Sequence, residues 1–479
     1  MNTPIRRLAF FSMALFGVLL LNVTWIQAFQ AESLREHPYN ARQYAEVLTL
    51  PRGPIVIGGE EVAFSEPVGG DSESYQREYP SGGLYAHAVG TFPIRGEGVE
   101  KTENSLLDGS DERLAVRNFM DTITGAEHQG ASVEMTIDPA AQQAAMDGLE
   151  ALGKNGAAVA LDPSTGAILA LYSNPTFDPN PVSSVTDPQD AQDAWTELTE
   201  DEQKPLLNRA LQERYPPGST FKVVTAAAAL ENGAEPDSTM DAPASINLGA
   251  PLPNAWGGPC NGGEPDPLAH SIEQSCNTSM ANWALELGDD KMTEQAERFG
   301  FNQGELTTPV PALESLYPNP SGDRNLLGRS GIGQGNVEAT PLQMAMVASG
   351  IANDGDIMQP YLVESVKDSD LSTIEGHTPE KFSTAVSGQT ADQLKDMMIL
   401  VTEGPDASGP KGAIAGMQVA GKTGTAETGS GPTHNWFISF APADDPQVAV
   451  AVVVEHGGSS GGEAAAPIAK GIMEAVIDE

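Results

Sequence analysis

The chain has 479 residues, 40% of them hydrophobic, enough to bury a sizeable core and too many for one ordinary domain. Asp and Glu outnumber Lys and Arg by 66 to 25, a formal net charge of -41. A surface that acidic, with no basic patch, excludes nucleic-acid binding, cannot steer an anionic substrate, and reads as a device for solubility.

Arg6 and Arg7 precede an uncharged stretch over residues 8–31, with an apolar heart at 8–26. At about 1.5 Å per residue that heart roughly matches a bilayer core. The positive flank is expected in the cytoplasm and the rest of the chain outside. Residues 1–31 therefore read as a cytoplasmic stub and a single transmembrane anchor. A cleaved signal peptide is the rival, but Gln27-Ala28-Phe29-Gln30 is a poor cleavage site. No other segment is long and apolar enough to span.

Residues 32–150 alternate short apolar runs, at 55–57 and 84–89, with Gly/Pro/Ser turns. They read as a smaller α+β domain of short strands and some helix. His87 and His128 stand alone there, and a lone histidine is read as structural or exposed rather than catalytic.

A clearer unit, 151–479, opens with a hairpin. Residues 157–161 and 167–172 are strand candidates around the turn Asp162-Pro163-Ser164-Thr165-Gly166. Residues 173–205 read as a long polar, Pro-rich connection. Tyr215-Pro216-Pro217-Gly218 leads into Ser219 and an Ala-rich buried helix ending near Leu230. Strands are expected again at 418–420, 436–440 and 448–455, and a last helix at 464–477. The order predicts one α/β domain whose two ends share a sheet, with a helical lobe inserted between them.

Three short motifs carry chemistry. Ser219-Thr220-Phe221-Lys222 places a serine and a lysine three apart on one helix face, so the amine can reach the hydroxyl. A serine needs a neighbouring base, and burial on an apolar helix pulls a lysine toward that role. The bland alternative is Ser219 as an N-cap beside a surface Lys222. Ser275-Cys276-Asn277 alone reads as a turn, or with Thr278 and Ser279 as a sequon. Lys422-Thr423-Gly424-Thr425-Ala426 lies on or entering a strand, where Lys422 offers a charge for a carboxylate and Gly424 room for a substrate backbone. Alone it also fits an exposed strand end. Cys260 and Cys276 both lie beyond the anchor, and their pairing is expected to contribute about 3 kcal/mol. Two buried thiols are the alternative.

In this order the three motifs are the signature of penicillin-recognising serine enzymes. The chain resembles class B penicillin-binding proteins, the actinobacterial branch in particular, over essentially its full length. The likeness extends to AAVALDPSTGAILALY at 157–172, RYPPGSTFKVVTAAAAL before and through the Ser219 helix, GIGQGNVEATPLQMA at 331–345, GKTGTAE and HNWFISFAP. In the first region it includes Arg52-Gly53-Pro54-Ile55 and Thr136-Ile137-Asp138. Two features depart from the pattern: Cys276 stands where many relatives have Asp, and the segment after Arg52-Gly53 lacks an Asp-x-Asn-Gly turn. Glu314 superficially matches the deacylating Glu loop of class A β-lactamases and is read as structural.

The resemblance implies a β-lactamase-like transpeptidase domain, an antiparallel sheet with a helical lobe, behind a non-catalytic dimerisation or pedestal domain. It implies that Ser219 attacks the bond between the terminal D-alanines of a peptidoglycan stem peptide, with Lys222 as base. Ser275 would relay a proton to the leaving amine, and Asn277 would hold Lys222 and the substrate amide. Lys422, Thr423 and Thr425 would bind the substrate carboxylate or tune Ser275, and the Ser219 and Thr425 N–H groups would form the oxyanion hole. β-Lactams would stall the enzyme as an acyl adduct. No cofactor is expected. A separate SEDS-type glycosyltransferase is the implied partner in wall growth and division. The competing readings are a D,D-carboxypeptidase or β-lactamase, and a non-catalytic β-lactam sensor or scaffold.

Overall fold

The computed structural model describes residues 3–27, 48–69, 74–93, 97–115, 123, 129–368, 370, 372–429 and 431–478. Its larger unit is built on a five-stranded sheet in the order Ala420–Ala426, His434–Ala441, Val448–Val454, Gly156–Leu161, Ile168–Asn174. Every neighbouring pair is antiparallel. Strands from the two ends of the unit thus share one sheet, and the helical lobe is inserted between them.

Gly156–Leu161 and Val448–Val454 are buried along their whole lengths. Successive side chains of a strand point to opposite faces. Ala157, Val159 and Leu161 join Ala449, Ala451 and Val453 in one core, while Ala158 and Ala160 join Val448, Val450 and Val452 in a second. Continuous apolar runs are what a central strand covered on both faces requires. Helices Pro139–Leu152 and Ala466–Ile477 cover the second face with Leu149, Ile468 and Ile472. The first is covered by Pro341–Ala352, buried at every position but its last. Helix Lys222–Glu231 lies at the centre of the lobe, packed by Asn277–Leu287, Asp289–Arg298 and Gly388–Glu403. Its alanines at 226–229 are all buried, and their small size lets these neighbours approach.

The second sheet has six strands, in the order Thr373–Gly376, Val363–Lys367, Ser132–Met135, Ile55–Ile57, Glu60–Pro67, Tyr75–Glu78. Its first two strands come from deep inside the larger unit. Helix Pro139–Leu152, in turn, packs on the larger unit's sheet, capped by Asp138, which accepts the Ala141 N–H. The two units therefore interleave rather than meeting at one boundary near residue 150. In the smaller one Arg52 and Arg77 grip the buried Glu100 at 2.9 and 2.6 Å. Burial pushes that carboxyl up, but the two guanidiniums outweigh it and hold it below its usual range. The Arg52-Gly53-Pro54-Ile55 motif is in this way a structural anchor.

Several expected elements differ. Of the two apolar runs in the smaller unit, 55–57 is a strand and 84–89 a short helical segment, Ala86–Val89 after Gly82–Leu84. The polar connection at 173–205 contains helices Pro179–Val182 and Pro188–Glu200. Each has an Asp cap followed by Pro at the first helical position, a start signal present in the sequence as Asp178-Pro179 and Asp187-Pro188. The strand expected at 418–420 runs Ala420–Ala426, so the Lys-Thr-Gly motif lies within it. His87 is buried with Nε2 2.8 Å from the Pro205 carbonyl, and burial pulls its pKa down to about 4, a structural histidine. His128 and the residues after the N-terminal helix, 28–47, lie outside the described residues.

Candidate active site

Ser219 lies in a 3-10 turn, Gly218–Phe221, that runs directly into Lys222–Glu231. It is half-buried, and no hydrogen bond engages its hydroxyl among the described residues. It does not cap the helix. Gly218 makes the turn possible: its φ is +54°, and a Cβ there would lie 2.9 Å from the Thr425 carbonyl. The nucleophile candidate is thereby pressed against the strand that carries the Lys-Thr-Gly motif.

Lys222 is completely buried. Its Nζ donates to the Ser275 carbonyl and to Asn277 Oδ1, both at 2.7 Å, and lies 3.3 Å from Ser275 Oγ. The orientation of the Asn277 amide follows from its other end, where Nδ2 donates to the Pro253 carbonyl at 2.9 Å. Burial, and then the charge of Lys422, push the Lys222 amine well below its usual pKa. A neutral amine has two N–H bonds and one lone pair. With both N–H groups given to Ser275 O and Asn277 Oδ1, the lone pair is left to accept a proton.

Ser275 is held at φ +63°, a left-handed conformation uncommon for a residue with a Cβ. Its backbone hangs from helix Leu268–Glu273 through Ser275 N to Ile272 O at 3.3 Å and Cys276 N to Ser271 O at 2.9 Å. Cys276 is disulfide-bonded to Cys260, with Cα atoms 6.3 Å apart. The bond ties the middle of the Ser-x-Asn triad to the loop at 254–263.

The sequence reading missed Asn254. It is buried, and its Oδ1 accepts the Asn277 and Thr278 N–H groups at 2.9 and 3.1 Å, capping that helix from a distant loop. Its Nδ2 donates to the Pro243 and Gly258 carbonyls. Nothing in the sequence marks it, because its partners are remote. Asn254→Ala strands two helix N–H groups and two carbonyls, and is expected to cost roughly 2–4 kcal/mol. Thermal unfolding measures that loss, and penicillin acylation should slow about tenfold as Asn277 loses its seat.

Along Ala420–Ala426 the motif residues alternate between faces. Lys422 and Gly424 point toward the Ser219 helix. Lys422 is fully buried, its Nζ donating to the Thr423 carbonyl at 3.1 Å, and burial pulls its pKa down to about 7. Gly424 is small for a packing reason: a Cβ would lie 2.9 Å from Thr220 Cγ2 and 3.0 Å from the Pro217 carbonyl. The room expected there for a substrate is filled by the nucleophile turn. Thr423 Oγ1 donates to Ser408 Oγ at 3.1 Å and lies 3.5 Å from Lys422 Nζ. Thr425 is exposed, and the strand is the edge of its sheet. Glu314 braces a loop by accepting the Gly304 N–H at 2.9 Å.

Residues 156–474 match the family model for the penicillin binding protein transpeptidase domain, and 52–133 that for the penicillin binding protein A dimerisation domain. The chain is 43% identical over 495 residues to the peptidoglycan D,D-transpeptidase PbpA of Mycolicibacterium smegmatis, all of both chains being covered. It resembles the imipenem acyl-enzyme complex of penicillin-binding protein A from M. tuberculosis with TM-score 0.86 and 39% identity, over 90% of this chain and 99% of that one. It also resembles the D,D-transpeptidase domain of a peptidoglycan glycosyltransferase from Eggerthella lenta, with TM-score 0.78 and 34% identity over 90% and 99%. A buried lysine held by a Ser-x-Asn triad beside a Lys-Thr-Gly edge strand, on a chain matched from end to end, has one consistent reading: the chain belongs to the penicillin-binding protein transpeptidase family.

Proposed function

We infer that the protein is a peptidoglycan D,D-transpeptidase that cross-links stem peptides through an acyl-enzyme on Ser219 and is inhibited by β-lactams. The observation that carries this is Lys222, a buried amine whose N–H groups are spent on Ser275 and Asn277. It takes the Ser219 proton as the oxygen attacks the D-Ala–D-Ala carbonyl. Ser275, 3.3 Å from that amine, passes a proton on to the leaving D-alanine. The edge strand Ala420–Ala426 pairs with the extended donor peptide, and Lys422 meets its terminal carboxylate. The N–H groups of Ser219 and Thr425 hold the developing oxyanion, at about 10²–10³-fold in rate per donor. An amine of a neighbouring stem peptide then takes the acyl group.

The test is product analysis by mass spectrometry with a stem-peptide donor and an amine acceptor. A cross-linked product is expected. Hydrolysed donor alone would reassign the chain to the carboxypeptidase or β-lactamase class, and no covalent adduct at all to the sensors or scaffolds.

The same reading makes residues 1–31 a cytoplasmic stub and a cell-membrane anchor, with the catalytic unit outside. Helix Thr3–Trp25 has 23 residues, a length of ~35 Å at the α-helical rise, enough to cross a bilayer. Residues 32–150 supply most of the pedestal and 151–479 the transpeptidase unit, with Val363–Lys367 and Thr373–Gly376 completing the pedestal sheet, and a SEDS-type glycosyltransferase supplies the glycan strands. Strands grow at the membrane surface, so tethering raises the local enzyme concentration there. A secreted chain beginning near residue 33 is expected to be acylated by penicillin yet fail to replace the anchored protein in cells. Full rescue of wall growth at normal abundance counts against the tethered partnership.

The Cys260–Cys276 bond is expected to persist in the purified protein. Alkylation without reductant, read by mass spectrometry, should find no free thiol, and the double Cys→Ser variant should lose about 3 kcal/mol of stability.

A further inference from the structure

We propose that His270 is a positioning residue whose imidazolium clasps the Ser275–Asn277 element to the segment behind Thr423, and that release of this clasp at higher pH slows acylation. The proposal rests on the acyl-enzyme reading given above.

His270 lies on Leu268–Glu273, the short helix from which Ser275 and Cys276 hang. Across from it, residues 404–409 back the Lys-Thr-Gly strand through Ser408, whose hydroxyl takes the Thr423 hydrogen bond. His270 reaches both sides. Nδ1 lies 2.5 Å from Asp266 Oδ1, and Nε2 lies 3.3 Å from Asp406 Oδ2. A second tie runs beside it, because the buried Glu273 carboxylate accepts the Asp406 N–H at 2.7 Å. Asp266 is itself fully buried and takes the Ser271 hydroxyl on its other oxygen, while Ser271 Oγ lies 2.7 Å from Ser279 Oγ on the Asn277 helix. The His270 cluster thus joins three pieces: the stalk of Ser275, the helix of Asn277 and the support of Thr423.

An ionised carboxylate only accepts hydrogen bonds, and a neutral imidazole has one N–H. With that hydrogen given to Asp266, the Nε2 lone pair would face the Asp406 carboxylate. Only the cation satisfies both partners. Burial works against the charged ring, but Asp266, Asp406 and Glu273 together outweigh it, and the pKa is raised above 6.5. Helix Gly388–Glu403, packed on the same short helix, ends in a further acid, Glu403. A raised pKa means that the clasp is closed below it and is lost as pH rises through it. Both walls of the substrate cleft are then less firmly held.

The test measures the second-order rate of acylation by a fluorescent penicillin, using the full-length protein in detergent, from about pH 5.5 to 8.5. Wild type, His270→Gln and Asp406→Asn are compared at each pH, so that the titrations of Lys222 and Lys422 cancel in the ratios. Wild type should exceed His270→Gln by about three- to tenfold near pH 6, with the ratio approaching one at the alkaline end. Asp406 is exposed, and its Asn variant should fold normally. The Asn amide can hydrogen-bond either form of Nε2. Asp406→Asn should therefore match wild type near pH 6 and exceed it at the alkaline end. Ratios independent of pH overturn the proposal, and Asp406→Asn decides alone if His270→Gln does not fold. In parallel, NMR of ¹³C-labelled histidines should show one imidazole titrating above 6.5 that is absent in His270→Gln and shifted down in Asp406→Asn. A His270 titration at or below 6.5 also overturns the proposal. A chain that takes no penicillin at any pH sinks the acyl-enzyme reading and the kinetic half of this proposal, while the imidazole titration still decides the clasp itself.

Discussion

Ser219→Ala should take up no penicillin, and its thermal unfolding should match wild type. The substitution removes one hydroxyl from a half-buried turn, and no hydrogen bond among the described residues depends on it. Changes of that kind cost about 0.5 kcal/mol or less. Covalent labelling, in contrast, needs that oxygen. The nearest competitor is Ser275, whose Oγ is 3.3 Å from the same lysine. Ser275→Ala supplies the control. It should still label to full stoichiometry, about 10²-fold more slowly, because a proton relay is lost and the nucleophile is kept. Intact-mass measurement decides the matter directly. Full labelling of Ser219→Ala, or none in Ser275→Ala, would exchange the roles of the two serines.

Much of this site was legible because its chemistry is local. Ser219 and Lys222 share a helix face by spacing alone, and the alanines that follow announce the burial that shifts the lysine. The central sheet was legible for a related reason. A strand covered on both faces must be apolar throughout, and 157–161 and 448–454 are. What stayed hidden depends on long-range placement. Asn254 looks like any loop asparagine until its carboxamide is seen capping the Asn277 helix. Val363–Lys367 and Thr373–Gly376 carry no mark that assigns them to the smaller sheet, since a strand's own pattern does not name its partner. At Gly424 the space of the missing side chain is taken by Trp436, Thr220 and Pro217. Sequence shows that a side chain is missing, but not whether a ligand or the protein fills the space. The two helices within 173–205 were a different kind of miss. Their Asp-Pro starts are readable, whereas the many prolines around them also fit an irregular connection.

Lys222→Met is the more discriminating experiment, because it separates a working lysine from a buried structural one. Methionine has similar volume and no charge, so the helix should pack much as before. Two acceptors, the Ser275 carbonyl and Asn277 Oδ1, lose their donor. If the amine is the base, acylation should fall by about 10²–10⁴-fold. The pH profile of the second-order rate carries the sharper signature. In wild type the rate should rise as pH passes the Lys222 pKa, which burial and Lys422 hold well below the usual lysine value, because only the neutral amine can accept the serine proton. It should fall again as Lys422 loses the charge that meets the substrate carboxylate, from about 7 in the free enzyme. At saturating substrate this second limb should move to higher pH, since a bound carboxylate favours the Lys422 cation. Lys222→Met should lose the rising limb and keep the falling one. A variant that acylates near the wild-type rate with both limbs intact would make Lys222 a structural lysine and leave Ser219 in need of another base.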